Sequence, residues 1–224
     1  RLYQNTKDLR YREAFRKGVE YLLSGQYENG GWPQFWPEMH GYQIHITYND
    51  DAMVNTLKLF HDMMAQKEPY QGDLTDQALR KRMAEAFDKG IDCILATQIV
   101  KDGVPTVWCQ QHDRETFEPA PARAFELPSY CSMESVSLTR LLMELPNPDD
   151  RVKKAVHAAM RSFDKYKLTG YKIVRVGSRG SYDQDTRLEK DPHAEPIWAR
   201  FYDLDYCEPF VCDRDGVPRR HLHQ

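Results

Sequence analysis

The 224-residue sequence predicts an all-α, toroid-like fold, and two observations support this prediction. Two segments with the periodicity of amphipathic helices resemble each other at one constant offset along the chain. No stretch keeps the period-two alternation of a half-buried strand for long. Helix pairs that recur in this way bury their inner faces by stacking around a common axis. We therefore expect a helical barrel with long irregular loops, formed by a single domain over residues 1–224.

The repeat is visible when "FRKGVEYLLSGQYENGGWPQFW", which begins at Phe15, is set above "FDKGIDCILATQIVKDGVPTVW", which begins at Phe87. The two segments align without a gap, and matching residues continue past the helical part into the loop. The matches include Gly18 with Gly90, Gln26 with Gln98 and Trp36 with Trp108. Agreement at so many positions indicates a duplicated structural unit.

The first unit, at 12–66, is predicted to be helix, long loop, helix. Its first helix carries an apolar stripe at helical spacing that begins at Phe15. Its second helix, "DDAMVNTLKLFHDMMAQ", is introduced by Asn49 and Asp50, residue types that favour helix N-termini. A Gly- and Pro-containing turn separates the two helices.

The second unit, at 84–145, repeats this order and ends in the helix "CSMESVSLTRLLMEL". A further helix is expected near 152–168, and the polar tail at 170–224 is expected to be mostly irregular. If each helix pair runs up and then down, both long loops lie at the same end of the barrel. The sequence therefore predicts that Asp50 and Arg123 share one rim.

Composition and charge exclude several classes of function. A net charge of −3 and a pI near 6.3 give no reason to expect binding to nucleic acid. No apolar run approaches the ~20 residues of a membrane-spanning helix, and the charged N-terminus does not read as a signal peptide. The five cysteines lack CxxC spacing, which argues against a zinc site.

Two candidate functional residues lie in the long loops. Asp50, beside Asp51 at a helix entrance, suits an N-cap, but carboxylates on loops are also ligands that calcium prefers. Arg123 lies in the stiff, proline-containing stretch "QQHDRETFEPAPARAFELPSY". It can pair there with Glu118 or Glu126, or it can serve a site. Both interpretations stay open for each residue.

The tail adds two more candidates. Arg200 and Arg214 lie in "WARFYDLDYCEPFVCDRDG", and the guanidinium fork binds carboxylates with two hydrogen bonds. Two such arginines suit a carboxylate-bearing ligand, and a solvated charge pair is the alternative. Trp32, Trp36 and Trp108 suit either stacking on a sugar or packing at helix ends.

Five motifs together resemble one known family. They are "QYENGGWPQFWP", "HITYNDDAMV", "VWCQQHD", "ARAFELPSYCSMESV" and "IWARFYDLDYCEPFVCDRDG", and they resemble the pectate lyases of polysaccharide lyase family 10 in their order along the chain. The resemblance runs from about Tyr3 to Gly216. It implies an (α/α)3 toroid and cleavage of α-1,4-polygalacturonate by calcium-assisted anti β-elimination, which gives unsaturated oligogalacturonides. It also implies a secreted or periplasmic protein.

The resemblance implies a role for each candidate residue. Arg123, in "ARAFELPS", corresponds to the proposed Brønsted base that removes the C5 proton. Asp50, in "YND", corresponds to a carboxylate of the calcium site. Arg200, in "WARFY", and Arg214, in "DRDG", correspond to substrate-binding positions.

The sequence departs from the family pattern at both ends. Family members carry an upstream segment with a further metal-site aspartate, and they continue past "DRDG" into an arginine- and aromatic-rich ending. We therefore expect a chain truncated at both ends, or a divergent pectin-binding homologue with weak or no activity. A hydrolase is a third hypothesis, which needs two carboxylates beside the bond, Asp50 and Asp113.

Overall fold

A computed structural model describes residues 1–181 and 184–220 of the chain. Within these residues it contains six α-helices, joined by loops that hold three short 3-10 helices. The α-helices are α1 (Leu2–Thr6), α2 (Leu9–Ser24), α3 (Ala52–Met64), α4 (Gln77–Ala96), α5 (Ser132–Met143) and α6 (Asp150–Tyr166). The 3-10 helices span Gly41–Ile44, Asn49–Asp51 and Gly72–Leu74.

Ten short strands lie between and after the helices in the described part of the chain. They are β1 (Ile46–Thr47), β2 (Val100–Lys101), β3 (Val104–Pro105), β4 (Gln111–His112), β5 (Tyr130–Cys131), β6 (Tyr171–Val176), β7 (Asp185–Lys190), β8 (Phe201–Tyr202), β9 (Pro209–Cys212) and β10 (Pro218–Arg219). All of the pairings are antiparallel. One sheet has four strands in the order β10-β9-β8-β5, and the others, β1-β4, β2-β3 and β6-β7, have two.

The prediction of an all-α, (α/α)3 toroid is wrong, because the fold is mixed α/β with 43% helix and 15% strand. Most of the strands are two residues long. A strand of that length shows no alternation of apolar and polar side chains, so periodicity cannot reveal it. Much of the disagreement lies in the tail, where β6 to β10 form. Residues 182–183 and 221–224 of that tail lie outside the described residues, and the assignment of 1–224 to one domain stays a prediction.

The helical part of the molecule holds the main apolar core. In α3 the side chains of Met53, Leu57 and Phe60 are fully buried, and α3 packs against α4. Burial of one such side chain contributes about 1.5–3 kcal/mol. At the start of α4 the Asp76 side chain accepts a hydrogen bond from the backbone N–H of Leu79 at 2.8 Å, which fixes the helix N-terminus.

Two glutamines make matching contacts in the two helix–loop segments. The Nε2 of Gln26 donates to Ala86 O at 2.8 Å, and the Nε2 of Gln98 donates to Ala155 O at 3.0 Å. Gln26 thereby ties the end of α2 to α4, and Gln98 ties the end of α4 to α6.

The hydrogen bonds of the tryptophans do not follow the gapless alignment of the two segments, which pairs Trp36 with Trp108. Trp32 donates to Leu22 O and Trp108 donates to Ile94 O, both at 2.7 Å. Trp108 therefore matches Trp32 rather than Trp36, so the second loop is longer than its counterpart. Both of these rings are buried, which favours packing over sugar stacking for this pair.

Short ladders bring the long loops together at one place. Strand β1 pairs with β4, and the backbone N–H groups of Tyr48 and Asn49 donate to Gln110 O at 2.9 and 3.1 Å. Strand β5 pairs with β8, which sets the end of the Arg123 loop beside Arg200. The ladders thus gather segments that are far apart in sequence. Among the helices of the described residues, none is long and apolar enough to cross a membrane.

Candidate active site

The turn before α3 presents two acidic residues in a strained backbone conformation. Asp50 and Asp51 have φ of 53° and 57°, in the left-handed region that Asp and Asn tolerate better than most residues. Asp51 occupies the N-cap position of α3, yet its side chain makes no capping hydrogen bond. The N-cap interpretation therefore does not explain this pair. Holding a non-glycine residue in this region costs of order 1–3 kcal/mol, and residues strained in this way are common at functional sites.

Arg123 is held by the buried carboxylate of Glu126. Its Nε donates to Oε2 at 2.8 Å and its Nη2 donates to Oε1 at 2.6 Å. Glu126 is fully buried, whereas the Arg123 side chain is 47% exposed. The guanidinium also lies 4.8 Å from the centre of the Phe125 ring. Of the two acids expected as partners, the structure therefore pairs Arg123 with Glu126 and leaves part of its guanidinium facing solvent.

Arg200 lies between this pair and the turn before α3. Its Nη2 donates to Glu134 Oε1 at 2.8 Å and to Asn49 Oδ1 at 3.0 Å. The same nitrogen is 3.8 Å from Glu126 Oε1, the oxygen that accepts from Arg123. One arginine thereby links both buried glutamates to the residue next to Asp50. The structure thus brings Asp50, Arg123 and Arg200 to one surface.

The charges of this cluster favour the ionised form of each member. Burial raises the pKa of Glu126, but hydrogen bonds from Arg123 and the charge of Arg200 outweigh burial, so the pKa lies below its ordinary value. The hydrogen bond to Glu126 raises the pKa of Arg123, and the charge of Asp50 adds to that rise. Asp50 is therefore within electrostatic reach of Arg123.

Arg200 shows the same balance. Burial alone lowers the pKa of this guanidinium, yet the charge and hydrogen bond of Glu134 more than offset burial and the pKa is raised. Close to it, the Cys131 thiol donates to Glu134 Oε2, and burial holds the pKa of this thiol well above its ordinary value. Cys131 is therefore a neutral donor in the site rather than a nucleophile.

Arg214 lies on the turn between β9 and β10, and it is exposed. This turn packs against the Arg123 loop: Cys212 Sγ is 3.8 Å from Ala124 O, and a Cβ added to Gly216 would lie 3.4 Å from the same oxygen. The structure thus places the backbone of Arg214 beside the cluster. Its backbone N–H donates to Asp213 Oδ1 at 2.7 Å.

A cavity of about 780 Å³ opens on another side of Arg200, between the β6-β7 hairpin and the four-stranded sheet. Trp198 and Phe210 contribute to its apolar walls. Neither Asp50 nor Arg123 lines it. Asp50 and Arg123 therefore lie on the protein surface outside this cavity, and Arg200 borders both.

Sequence reasoning missed the role of Glu134 and treated Asn49 only as a cap. Glu134 is 2% exposed, and it lies at helical spacing from the buried Leu138 and Leu141 of α5. An acid on the apolar stripe of a helix was the signal that could have identified it, because a buried carboxylate requires a partner. Nothing in the local sequence identified that partner as Arg200.

Asp50 and Asp51 could bind a cation such as calcium only together with further oxygen ligands. Within the described residues, no group of three or more His, Cys, Asp or Glu side chains is placed to hold a metal ion. Asp50 and Asp51 form no salt bridge in that part of the chain, and carboxylate oxygens are the donors that calcium prefers. Calcium takes about 6–8 oxygen ligands. The chemistry of the two acids fits calcium, and further ligands would have to come from a bound anion and water.

Asp113, the second acid of the hydrolase hypothesis, has a structural environment of its own. Its Oδ1 accepts hydrogen bonds from the backbone N–H groups of Glu115 and Thr116, both at 2.9 Å. These bonds lower the pKa of Asp113 and close a turn. Such a carboxylate is a poor general acid, because its protonated form is disfavoured.

Comparison with known proteins assigns the family. A family model described as pectic acid lyase matches residues 1–224. Two solved structures of a family 10 polysaccharide lyase from Cellvibrio cellulosa are similar, one of them a point mutant in complex with trigalacturonic acid. Each is 33% identical with a TM-score of 0.87 over 97% of this chain, which covers 67% of the mutant's chain and 66% of the other. None of the curated proteins matches. The sequence-based prediction of the family is thus confirmed, and the chain belongs to the pectic acid lyases, within the family 10 polysaccharide lyases.

Proposed function

We propose that this chain cleaves α-1,4-polygalacturonate by calcium-assisted anti β-elimination and releases unsaturated oligogalacturonides. In this proposal Arg123 is the base, Arg200 and Arg214 bind substrate carboxylates, and Asp50 binds calcium. The observation that carries the proposal is the meeting of two arginines at one buried carboxylate, Glu126, within electrostatic reach of Asp50. Because the substrate is an extracellular polymer, we also propose that the protein is secreted or periplasmic.

The charge and exposure of the arginines suit a polymer that carries one carboxylate on each sugar. The side chains of Arg123 and Arg200 are 47% and 36% exposed, so their contacts with the protein do not seal either of them from a ligand. Guanidinium–carboxylate pairs are among the stronger charge-assisted hydrogen bonds. An open surface also admits a long chain, which an enclosed pocket would not. The trigalacturonic acid bound by the Cellvibrio relative is a ligand of this chemistry.

The reaction requires removal of a weakly acidic proton. The C5–H bond of a galacturonate breaks, its electron pair forms the C4=C5 double bond, and the C4–O bond breaks with its electrons on the leaving oxygen. The proton passes to neutral Arg123, and the leaving oxygen takes up a proton from solvent. Calcium, when bound with Asp50, supplies charge that stabilises the negative charge developing on the C6 carboxylate.

The base role of Arg123 requires a change in its protonation. The contact with Glu126 raises the pKa of Arg123, which favours the protonated form. Nearby positive charge acts in the opposite direction, and calcium, Arg200 and Arg214 are the sources of such charge in this proposal. Activity is therefore expected to rise toward alkaline pH.

An assay for calcium dependence tests the proposal. Incubation with polygalacturonate and calcium should raise the ultraviolet absorbance, because the product carries a C4=C5 double bond. EDTA should abolish this rise and added calcium should restore it. Full activity in the chelator would refute the metal-binding role of Asp50.

A second candidate is a pectin-binding homologue with weak or no catalytic activity. The raised pKa of Arg123 favours it, and so does the pair of acids in the turn before α3, Asp50 and Asp51, which is too few for a calcium site without further ligands. It predicts that oligogalacturonates bind, as measured by calorimetry, while no unsaturated product forms from neutral to strongly alkaline pH. Formation of that product above trace rates excludes it.

A further inference from the structure

Only two of the three guanidinium nitrogens of Arg123 donate hydrogen bonds to residues that the structure describes. Glu126 accepts from Nε and from Nη2, whereas Nη1 has no hydrogen bond to any residue that the structure describes. The carboxylate thus occupies one edge of the planar guanidinium. The nitrogen left over is Nη1.

We propose that Glu126 is a positioning residue that fixes the tautomer of neutral Arg123, so that Nη1 carries the lone pair that accepts the substrate proton. This inference rests on the proposed role of Arg123 as the base. It assigns to the buried carboxylate a function beyond neutralising charge, and it assigns to Nη1 the part of the basic atom.

The tautomer of neutral Arg123 depends on which guanidine nitrogens carry protons. A neutral guanidine has one imine nitrogen without a spare proton, and its lone pair lies on that atom. An ionised carboxylate only accepts hydrogen bonds, so the contact with Glu126 requires a proton on Nε and excludes an imine there. At Nη2 the carboxylate favours an amino group, because an imine nitrogen keeps one proton but is the weaker donor. The tautomer that makes both contacts strongest therefore has its imine at Nη1. When the C5–H bond breaks, the proton forms a bond to this lone pair, and the resulting guanidinium is neutralised by Glu126.

The same logic operates in catalytic triads, where a buried carboxylate holds a histidine in the tautomer that accepts a proton. The contact there strengthens the base and fixes its orientation. The contact here has a corresponding cost, because it reduces the neutral fraction of Arg123 at a given pH. Once formed, the neutral guanidine has its lone pair directed away from the protein carboxylate.

The Glu126 carboxylate is held firmly enough for this role. Its side chain is fully buried, so water does not compete for its oxygens. The Arg123–Glu126 turn is closed by a hydrogen bond from Glu126 N to Arg123 O at 2.7 Å, and Glu126 O accepts from Ala122 N at 3.0 Å. The charge of Arg200, 3.8 Å from Oε1, helps to keep the carboxylate ionised.

Glu134 provides a matched contrast on the same surface. It is also buried, but it contacts Arg200 through Nη2 alone and makes no salt bridge with Arg123 in the described residues. One hydrogen bond does not select a tautomer. Glu134 should therefore affect substrate binding by Arg200 and leave proton transfer at Arg123 largely intact.

Glu126→Gln tests the inference. The amide has nearly the same shape, but it presents one acceptor and one NH₂ donor, so it favours an imine at Nε or Nη2. We expect kcat to fall by about 10²–10⁴-fold, with KM changed by about threefold or less. Glu134→Gln should show the reverse, a raised KM with kcat close to wild type. Circular dichroism checks that both variants are folded.

A double-mutant cycle separates positioning from structural support. If Glu126 acts through Arg123, then Glu126→Gln added to Arg123→Lys should lower kcat by no more than about twofold, because the tautomer no longer matters. If the two substitutions instead lower kcat by independent factors that multiply in the double variant, the inference is wrong. A wild-type kcat in Glu126→Gln while Arg123→Lys is severely impaired would also overturn the inference, an outcome that leaves the proposed function standing. If Arg123→Lys also turns over at the wild-type rate, the base role itself fails.

A spectroscopic measurement on the wild-type protein covers the case of a variant that does not fold. In spectra of arginine labelled with ¹⁵N, the two-point contact should slow rotation about the Nε–Cζ bond of Arg123. Its Nη1 and Nη2 signals should then be resolved. A single averaged Nη signal at low temperature would contradict the fixed orientation.

Discussion

Arg123 combines two properties that a lysine cannot supply together, a fork that fits Glu126 and a third nitrogen directed elsewhere. Lysine at this position keeps a positive charge but is shorter and lacks the fork. We expect Arg123→Lys to lower kcat by about 10²–10⁴-fold, the usual contribution of a positioned base. KM should change far less, because Arg200 and Arg214 remain. Initial rates on polygalacturonate measure both.

The pH profile of this variant adds a second criterion. Lysine has a lower ordinary pKa than arginine, so any residual activity should appear at lower pH than in the wild type. A lysine variant with near wild-type kcat and an unchanged profile would mean that Arg123 binds substrate and does not abstract a proton.

His112 illustrates a residue whose chemistry serves the fold. It is fully buried, its Nε2 accepts from Cys109 N at 3.0 Å, and its Nδ1 donates to Phe117 O at 2.8 Å. Burial lowers its pKa from 6.5 to about 4. The neutral ring is therefore part of the loop structure that carries β4.

This shift predicts how stability depends on pH. Because the folded pKa lies below the unfolded pKa, the contribution of His112 is complete above pH 6.5 and is lost as the pH falls toward about 4. The loss amounts to roughly 3 kcal/mol in the free energy of unfolding. Urea unfolding at a series of pH values should show a flatter dependence in His112→Asn. Identical slopes in both proteins would contradict this assignment.

The composition of the site could be predicted in part from the sequence. Asp50, Arg123 and Arg200 stand in motifs, and the order of the helices indicated that the two long loops share one end. The partners Glu126 and Glu134 do not follow from spacing alone, because their roles depend on how the loops fold back. Two-residue ladders set that geometry, and these leave no pattern in the sequence.

The contact of α3 with α4 depends on a glycine. A Cβ added to Gly90 would lie 2.6 Å from Leu57 Cδ2 and 3.3 Å from the Trp32 ring. Gly18, its counterpart in α2 by alignment, has no atom within 4 Å of such a Cβ. The two aligned glycines thus have opposite environments, one in a packed interface and one on a free helix face.

Alanine at these two positions should have opposite effects. Gly90→Ala should destabilise the protein by about 1–3 kcal/mol, because the core must move to accept the methyl group. Gly18→Ala should stabilise it by about 0.5–1 kcal/mol, since alanine favours a helix interior. Thermal unfolding of the two variants measures both effects. A change of the same sign in both would contradict the packing described here.

The strands show why the fold class could not be predicted from periodicity. The helices carry apolar stripes over 12 to 20 residues in α3 to α6, whereas most strands are too short for any pattern. Strand β6, which is six residues long like its partner β7, is rich in β-branched residues, among them Ile173 and Val174, between two glycines. Those glycines, Gly170 and Gly177, have positive φ and mark its ends. This pattern indicates a strand, but the polar composition of the surrounding tail led to the prediction of irregular structure.

Binding of an anionic polymer depends on how charge is distributed over the protein rather than on its net charge. The chain carries a net charge of −3, yet Arg123 and Arg200 are partly exposed on the same surface as Asp50, the residue proposed to bind calcium. The buried Glu126 and Glu134 pair with these arginines and leave their side chains 47% and 36% exposed. The arrangement suits a ligand that brings carboxylates of its own and completes a calcium site with them.

We propose that this surface breaks the glycosidic bond by elimination. The most direct test of this proposal follows ultraviolet absorbance and reducing ends in the same incubation with polygalacturonate and calcium. Elimination predicts one unsaturated end for each new reducing end, with both signals lost on addition of EDTA. New reducing ends without a rise in absorbance would indicate hydrolysis, and binding without either signal would indicate a pectin-binding protein. Either result would contradict the proposed mechanism.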